Sequence, residues 1–282
     1  MCRLFDQISL HERNAVDLLV ASEFSLLKQS SLNKKNLQKD GWGLVSKKPL
    51  NGGWDVVKSA RAVFEEKAKF SRAARGTESP LIIAHIRHAS NPKKLPPASL
   101  NRLENSQPFL HDGLAFAHNG TLNIPDEVAR TLGRYAHNLK GVNDSEVLFW
   151  LFVKTWGTEK KPGRDRWRNV FRKMISHIES VWASIPKAKR KFKAPYSGLN
   201  FLASDGRVLA AQSFYDRPDG KSLCGQGRPY FEMCYRVSEG RVTVASEPLD
   251  KTPGWKRIPN RHLLVVEKNR DTLDPAVVPL TH

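Results

Sequence analysis

The chain of 282 residues contains only three cysteines, Cys2, Cys224 and Cys234. Three thiols cannot form the dense disulfide framework of a small secreted domain, so we expect a reducing, cytoplasmic location. Cys224 and Cys234 have no neighbouring histidine pair, which favours structural thiols over metal ligands. The sequence therefore predicts no metal site.

Long apolar runs are also absent. No segment offers the roughly 18 uninterrupted apolar residues that a membrane-spanning helix requires, so we expect no membrane partner. Asp6, Glu12 and Arg13 interrupt any signal-peptide pattern at the start of the chain. The 40% hydrophobic and 26% charged content is ordinary for a folded protein. Because no linker composition divides the chain, we expect a single domain over residues 2–282.

Acidic residues are scarce beside basic ones. The chain has 46 Lys and Arg against 28 Asp and Glu, a formal net charge of +18. Much of the excess lies between Lys154 and Lys193, a surface that could attract nucleic acid, anionic lipid or an acidic partner. No zinc-finger spacing or RNA-recognition motif accompanies this charge. We therefore expect a basic, solubilising surface and no nucleic-acid partner, and the alternative of a surface that binds nucleic acid or an anionic partner stays open.

Apolar periodicity predicts strands at both ends of the chain and helices between them. Without a repeated strand–helix alternation, this order favours an α+β layered fold over a doubly wound one. Strands are predicted at 2–9, 41–45, 54–57, 80–87, 114–118, 199–203, 208–214, 231–237, 242–245 and 263–266, a turn at 51–53, and helices at 14–27, 60–75, 165–184 and directly after Asp144.

Cys2 is the most informative residue of the sequence. Removal of Met1, which aminopeptidases trim when a small side chain follows, would give Cys2 a free α-amino group. The reference pKa values are about 8 for the amine and about 8.5 for the thiol, so the amine can accept the thiol proton near neutrality. An N-terminal residue that supplies its own base is an activated nucleophile. The alternative is a cysteine without a catalytic role.

Short motifs occur along the whole chain, and they are Met1-Cys2, Asp40-Gly41-Trp42-Gly43, His85-Ile86-Arg87-His88-Ala89-Ser90, Glu104-Asn105, Pro108-Phe109, Ala117-His118-Asn119-Gly120, Asn143-Asp144-Ser145-Glu146, and the segments 198–202, 204–206 and 245–249. These motifs occur in the same order as in the class II glutamine amidotransferases, and the chain resembles that family over almost its whole length. The resemblance implies a four-layer αββα sandwich of the N-terminal-nucleophile hydrolase type, with no cofactor. Late motifs resemble the stand-alone branch that cleaves glutamine or γ-glutamyl compounds.

The resemblance assigns the oxyanion hole to Asn119 and Gly120. Thiolate attack on an amide produces an oxyanion, and loss of one fixed donor typically costs about 100-fold or more in rate. The side-chain amide of Asn119 and the backbone N–H of Gly120 would be these donors. Taken alone, an Asn-Gly pair after a strand is also the strongest short signal for a hairpin turn.

Substrate binding is assigned by the same resemblance to Arg87, Ser90 and Asp144. Arg87 would grip the α-carboxylate of a glutamyl group, which suits its fork of donors, and a structural salt bridge is the alternative. Asp144 would hold the α-ammonium group, and a helix cap is its alternative. Ser90 stands where relatives usually carry threonine. His88 lines or flanks the pocket, and we do not expect it to be the base.

Some positions depart from the family pattern. Gln107 replaces a common histidine, and residues 93–101 differ from the usual specificity loop. Because no catalytic group is lost, these departures leave the identity of the substrate open but do not change the predicted reaction. We predict an amidohydrolase that cleaves a glutamine or γ-glutamyl amide through a Cys2 thioester. The alternatives are a glutaminase subunit that is active only with a separate synthase partner, and an inactive fold that binds nucleic acid or anionic surfaces through its basic face. A separate synthase or peptidase could also be a partner of the hydrolase.

Overall fold

The structure is a computed structural model that describes residues 2–34, 37–48, 52–91, 93–216, 222, 224 and 230–280. Met1 and Asn51, on which the predicted processing and the predicted turn depend, lie outside these ranges. The strands are β1 (Arg3–Arg13), β2 (Trp42–Lys47), β3 (Trp54–Ser59), β4 (Ser79–Ile86), β5 (Phe109–His111), β6 (Leu114–Leu122), β7 (Tyr196–Ser204), β8 (Val208–Ser213), β9 (Cys234–Ser238), β10 (Arg241–Ala245), β11 (Lys256–Arg257), β12 (His262–Lys268) and β13 (Leu273–Pro279). The helices are α1 (Leu26–Gln29), α2 (Lys67–Arg75), α3 (Pro97–Leu100), α4 (Pro125–Arg130), α5 (Asp144–Thr158) and α6 (Gly163–Ser184), and further helical turns cover Asp17–Ala21, Leu103–Asn105, Gly133–Asn138 and Lys187–Lys189.

Two antiparallel sheets form the centre of the fold. Within the described ranges, one sheet has the order β11-β9-β10-β1-β4-β2-β3 and the other has the order β13-β12-β8-β7-β6-β5. An apolar layer that includes Leu4, Ile83 and Leu202 lies between the sheets. A second apolar layer joins α5 and α6 to the β6 sheet, and a third joins α2 and the N-terminal helical turns to the β1 sheet. The predicted α+β, αββα arrangement is confirmed.

Strands β1 and β4 lie inside the seven-stranded sheet, where layers of side chains cover both faces. Strand β4 is accordingly a nearly continuous apolar segment, whereas β1 also buries the polar side chains of Arg3, Asp6 and Gln7. Their register pairs Arg3 with Ile86 and Leu4 with His85. The start of β1 is therefore held beside the end of β4.

The helix predicted over residues 14–27 is wrong in extent. Strand β1 continues to Arg13, and only Asp17–Ala21 and Leu26–Gln29 are helical. The amide of Asn14 donates to the carbonyl oxygens of Ala74, Arg75 and Thr77, so the C-terminal end of α2 sets the path of the chain here. The helix predicted over residues 60–75 is likewise shorter and covers only α2.

Strand β6 does not end at Asn119-Gly120, as the sequence predicts. It continues to Leu122 because Asn119 pairs with Asn200 and Gly120 with Leu199 on β7. The hairpin-turn alternative for this pair is therefore excluded. Strand β13 was not predicted at all, because its two prolines are typical of an edge strand rather than of a central one.

Candidate active site

The thiol of Cys2 lies at the buried end of β1. The side chain is 7% exposed, and its sulfur is 3.4 Å from the backbone nitrogen of His88 and 3.5 Å from the carbonyl oxygen of the same residue. Burial raises the pKa of the Cys2 thiol, while the His88 N–H and the nearby charge of Arg87 oppose that rise. The thiol therefore needs a base before it can attack.

Arg87 follows β4 directly and is almost completely buried. Its Nη1 atom donates to the carbonyl oxygens of Asp40 at 3.1 Å and of Leu100 at 2.8 Å. Burial lowers the pKa of Arg87, and Cys2, Asp40 and Asp144 supply the opposing negative charge. Because two carbonyls orient the guanidinium beside these groups, it is preorganised to bind an anion.

Asp40 fixes the segment that carries His88 and Ser90. Its Oδ2 atom accepts a 2.8 Å hydrogen bond from the backbone N–H of Ala89, and its own backbone N–H donates to the carbonyl of Arg87. The ring Nδ1 of His88 lies 2.8 Å from the carbonyl oxygen of Leu37 and so carries the proton in the neutral ring. Burial lowers the pKa of His88, which keeps the ring neutral near pH 7.

Ser90 and Asp144 border one small pocket, together with Asn91, Leu100 and Asn143. The loop over this pocket is closed by Asn91, whose side chain bonds to both the backbone N–H and the carbonyl of Leu95. Of the residues that the sequence assigns to substrate binding, Ser90 and Asp144 thus share a pocket wall, whereas Arg87 and His88 are not among the residues that line it.

Asn119 and Gly120 lie in the middle of the pair formed by β6 and β7. Asn119 is fully buried, and neither its side-chain nitrogen nor its oxygen finds a hydrogen-bond partner among the described residues. Gly120 has φ of +152°, and a Cβ atom there would lie 1.9 Å from the carbonyl oxygen of Gly198. Glycine is required by this close approach of two strands, and the Asn119 amide is available to a ligand.

Alternation along the strands directs Cys2 and Asn119 into the same space. Leu4 and Ile8 of β1 and Ala117 of β6 belong to the layer between the sheets. Side chains two residues apart in a strand point to the same face, so Cys2 points to the same face as Leu4, and Asn119 points to the same face as Ala117. Cys2 therefore points toward the sheet that carries Asn119, and Asn119 points toward the sheet that carries Cys2.

Helix α5 begins beside this strand. Asn143 is its cap and accepts a 2.7 Å bond from the N–H of Glu146, so the alternative that Asp144 is the cap is wrong. The Asp144 carboxylate instead accepts a 2.7 Å bond from the N–H of Leu122. Ser145 meets the ring of His118, with Oγ 2.9 Å from Nδ1. Helix α5 and strand β6 are thus joined by two side-chain contacts.

Sequence reasoning missed several buried polar groups near this site. Arg3 and Glu247 form a buried ion pair, and Asp6 lies fully buried on β1. The motif over residues 245–249 contains Glu247 but carries no sign of its partner. Only the pairing of β1 with β10 brings the two side chains together.

Much of the basic segment 154–193 is engaged within the chain. Lys154 donates to the carbonyl of Thr131, and Lys173 lies 2.8 Å from Glu159, whose pKa it helps to lower to about 2. Arg164 pairs with both Glu267 and Asp274. These contacts assign several of the charges to tying α6 to its neighbours.

Neither a metal cluster nor a membrane-spanning element is found in the described part of the chain. No group of three or more His, Cys, Asp or Glu side chains there could hold a metal ion. None of the helices in the described ranges is both long and apolar enough to cross a membrane.

His85 and His118 are fully buried, and burial lowers the pKa of both rings.

Comparison with known proteins gives a consistent result. The sequence profile of the class-II glutamine amidotransferases matches residues 1–217. The γ-glutamyl-hercynylcysteine sulfoxide hydrolase of Mycolicibacterium smegmatis is 24% identical over 278 residues, which cover 93% of this chain and 95% of that protein.

Solved structures share the fold. A glutamine aminotransferase class-II domain protein from Silicibacter pomeroyi superposes with a TM-score of 0.62 at 15% identity, and all of both chains is covered. The glutamine phosphoribosylpyrophosphate amidotransferase of Bacillus subtilis gives a TM-score of 0.58 at 15% identity. That match covers 99% of this chain and 49% of the Bacillus chain.

Proposed function

Since this chain belongs to the class II glutamine amidotransferases, enzymes of the N-terminal-nucleophile amidohydrolase type, we propose that it hydrolyses γ-glutamyl amides with Cys2 as the nucleophile. One observation carries the proposal. The buried Cys2 thiol lies near the Arg87 charge, and strand alternation directs the unpartnered Asn119 amide from the opposite sheet into the space between the sheets. The γ-glutamyl hydrolase of Mycolicibacterium smegmatis supports the substrate class.

The proposed reaction starts when removal of Met1 frees the α-amino group of Cys2. That amine takes the thiol proton, and the sulfur attacks the δ-carbonyl carbon of the glutamyl group. The Asn119 amide and the Gly120 N–H then hold the oxyanion. Collapse breaks the C–N bond, the amine leaves with the proton, and the acyl group remains on sulfur as a thioester. Water attacks the thioester, which releases glutamate and restores the thiol.

Binding is proposed to use the groups that surround the pocket. The carbonyl oxygens of Asp40 and Leu100 orient the guanidinium of Arg87 to bind the α-carboxylate. The hydroxyl of Ser90 would add a further hydrogen bond to the substrate. Asp144 would hold the α-ammonium group with the carboxylate oxygen that Leu122 does not occupy. One cation and one anion at fixed separation match a free amino-acid end.

The location and partners of the reaction are part of the proposal. None of Cys2, Cys224 and Cys234 forms a disulfide within the described residues, which supports a reducing, cytoplasmic compartment. The small-molecule substrate needs no further protein for cleavage. The released amine is either discarded or passed to a separate synthase or peptidase.

The test is an intact-mass measurement before and after incubation with the glutamine analogue diazo-oxo-norleucine. We expect a chain without Met1 that gains one adduct, mapped to Cys2, and that hydrolyses γ-glutamyl amides. The Cys2→Ala variant should neither label nor hydrolyse. Cys234→Ala, which removes another buried thiol, is the control and should do both. Full hydrolysis by Cys2→Ala would overturn the proposal.

A further inference from the structure

Arg3 directly follows the proposed nucleophile, and its charge is wholly enclosed by protein. Its Nη1 atom lies 2.8 Å from Oε1 of Glu247, and the two side chains are 0% and 1% exposed. They are 244 positions apart in the sequence. A buried ion pair of this kind forms at the site only when β1 and the end of β10 are in place.

Glu247 also ties down a second segment. Its Oε2 atom accepts hydrogen bonds from the hydroxyl of Ser222 at 2.5 Å and from the backbone N–H of Cys224 at 3.0 Å. The guanidinium of Arg3 lies 4.3 Å from the ring centroid of Tyr230. Burial raises the pKa of the Tyr230 hydroxyl, the adjacent Arg3 charge opposes that rise, and the nearby side chain of Cys2 adds to it. The ion pair therefore joins β1 to groups beside the proposed nucleophile.

The backbone next to the pair is clamped as well. The N–H of Leu4 donates to the hydroxyl of Ser246 at 2.9 Å, and the N–H of Ser246 donates to the carbonyl of Leu4 at 3.1 Å. On the other side of β1, Arg3 is paired with Ile86 of β4. Cys2 is thus attached to a strand end that is held from both sides.

Stability alone is a poor reason for such a pair. Desolvation of two charges consumes most of their attraction, and apolar replacements of buried pairs are often neutral or stabilising. A benefit in placing the adjoining residue accounts for the arrangement better. We propose that Arg3 and Glu247 are positioning residues that hold Cys2 in line with the bound γ-glutamyl carbonyl. This inference rests on the proposed function.

The expected signature is a loss of kcat without a loss of substrate binding. The binding groups Arg87 and Asp144 lie on other elements, so KM should stay within about threefold. A displacement of about 1 Å at a reacting group can cost about 100-fold in rate, so we expect kcat to fall about 10- to 100-fold. Labelling of Cys2 by iodoacetamide, which needs no aligned carbonyl, should change far less than labelling by diazo-oxo-norleucine.

The test uses Glu247→Gln, in which the amide oxygen can still accept a hydrogen bond from Arg3, and the double variant Arg3→Met/Glu247→Gln, which removes both charges. The matched control is Arg236→Met. Arg236 lies on β9, in the same sheet as Arg3. Its guanidinium forms two hydrogen bonds with the carboxylate of Asp250, at 2.7 and 3.1 Å, and lies over the ring of Trp255. It resembles Arg3 in its contacts but lies away from Cys2. Intact mass verifies removal of Met1, and urea unfolding verifies the fold of each variant.

The inference is supported if both test variants lose kcat and the control retains it. It is overturned if folded, Met1-free variants keep kcat within twofold of the wild type, or if Arg236→Met loses as much. Absence of both hydrolysis and labelling in the wild-type chain would overturn the proposed function, and with it the reaction that this pair serves. Active wild type with active variants would overturn the inference alone.

Discussion

The carboxylate of Asp144 accepts a 2.7 Å hydrogen bond from the backbone N–H of Leu122. The residue proposed to hold the substrate ammonium therefore also anchors the strand that carries Asn119 and Gly120. Helix α5 and strand β6 move as one unit if this bond persists, so substrate binding and oxyanion stabilisation share a support.

Replacement of Asp144 by Asn separates these two roles. The amide oxygen can still accept from Leu122, but the negative charge is lost, so we expect KM to rise about 10- to 100-fold with the fold intact. Steady-state kinetics on a γ-glutamyl amide measures the change. Asp112→Asn, at an exposed position, is the control. An unchanged KM for Asp144→Asn would remove Asp144 from the binding site.

Asn119 and Asn200 form a register pair with opposite expectations. Asn200 donates to Phe231 at 2.7 Å and accepts from Phe214 at 2.9 Å, so Asn200→Ala should lower the free energy of unfolding by about 1–3 kcal/mol. Asn119→Ala removes an unpartnered amide and should leave the fold stable while kcat falls about 100-fold or more. Kinetics and urea unfolding of both variants decide the matter. Equal effects of the two substitutions on kcat would argue against the oxyanion role.

Asp6 should make the protein less stable as pH rises from acid to neutral. Burial raises the pKa of this carboxyl well above its usual range, and the backbone N–H of Gln7 opposes the rise only in part. Below about pH 4 the group is protonated in both states, so there is no penalty. Above that pH only the unfolded state releases its proton readily, and the free energy of unfolding falls by about 1.4 kcal/mol per pH unit up to the folded-state pKa.

The Asp6→Asn variant should lose this slope and be more stable than the wild type at pH 7. Urea unfolding between pH 4 and pH 8 measures both effects. Asp55→Asn removes an exposed carboxylate and should leave the slope unchanged. A wild-type stability that is flat or rising over this range would show that Asp6 is ionised in the folded state.

His88 provides a test of the proposed base. Its backbone, not its ring, contacts the Cys2 sulfur, and the ring is bonded to Leu37. His88→Ala should therefore keep kcat within about threefold, whereas loss of a general base typically costs about 100- to 10,000-fold. The pH dependence of kcat/KM for this variant should match that of the wild type. A large loss of kcat would assign proton transfer to the imidazole.

Local sequence patterns correctly predicted those helices and strands whose structure follows from their own residues. The apolar run at β4 and the helical spacing of α6 produced correct assignments, because burial on both faces and a 3.6-residue period are properties of the segment itself. The extent of the segment after Asn14 could not be predicted in this way. Its path depends on bonds to Ala74, Arg75 and Thr77, which lie about 60 residues away.

In the candidate site, too, some features follow from the sequence and others only from the tertiary structure. The sequence by itself determined which groups are available: a thiol at Cys2, a guanidinium at Arg87, an amide at Asn119 and a carboxylate at Asp144. The continuation of β6 through Asn119, the burial of Asp6 and the pairing of Arg3 with Glu247 were decided only by the tertiary structure. Each depends on which strand lies alongside, and strand pairing joins segments whose separation leaves no trace in local periodicity.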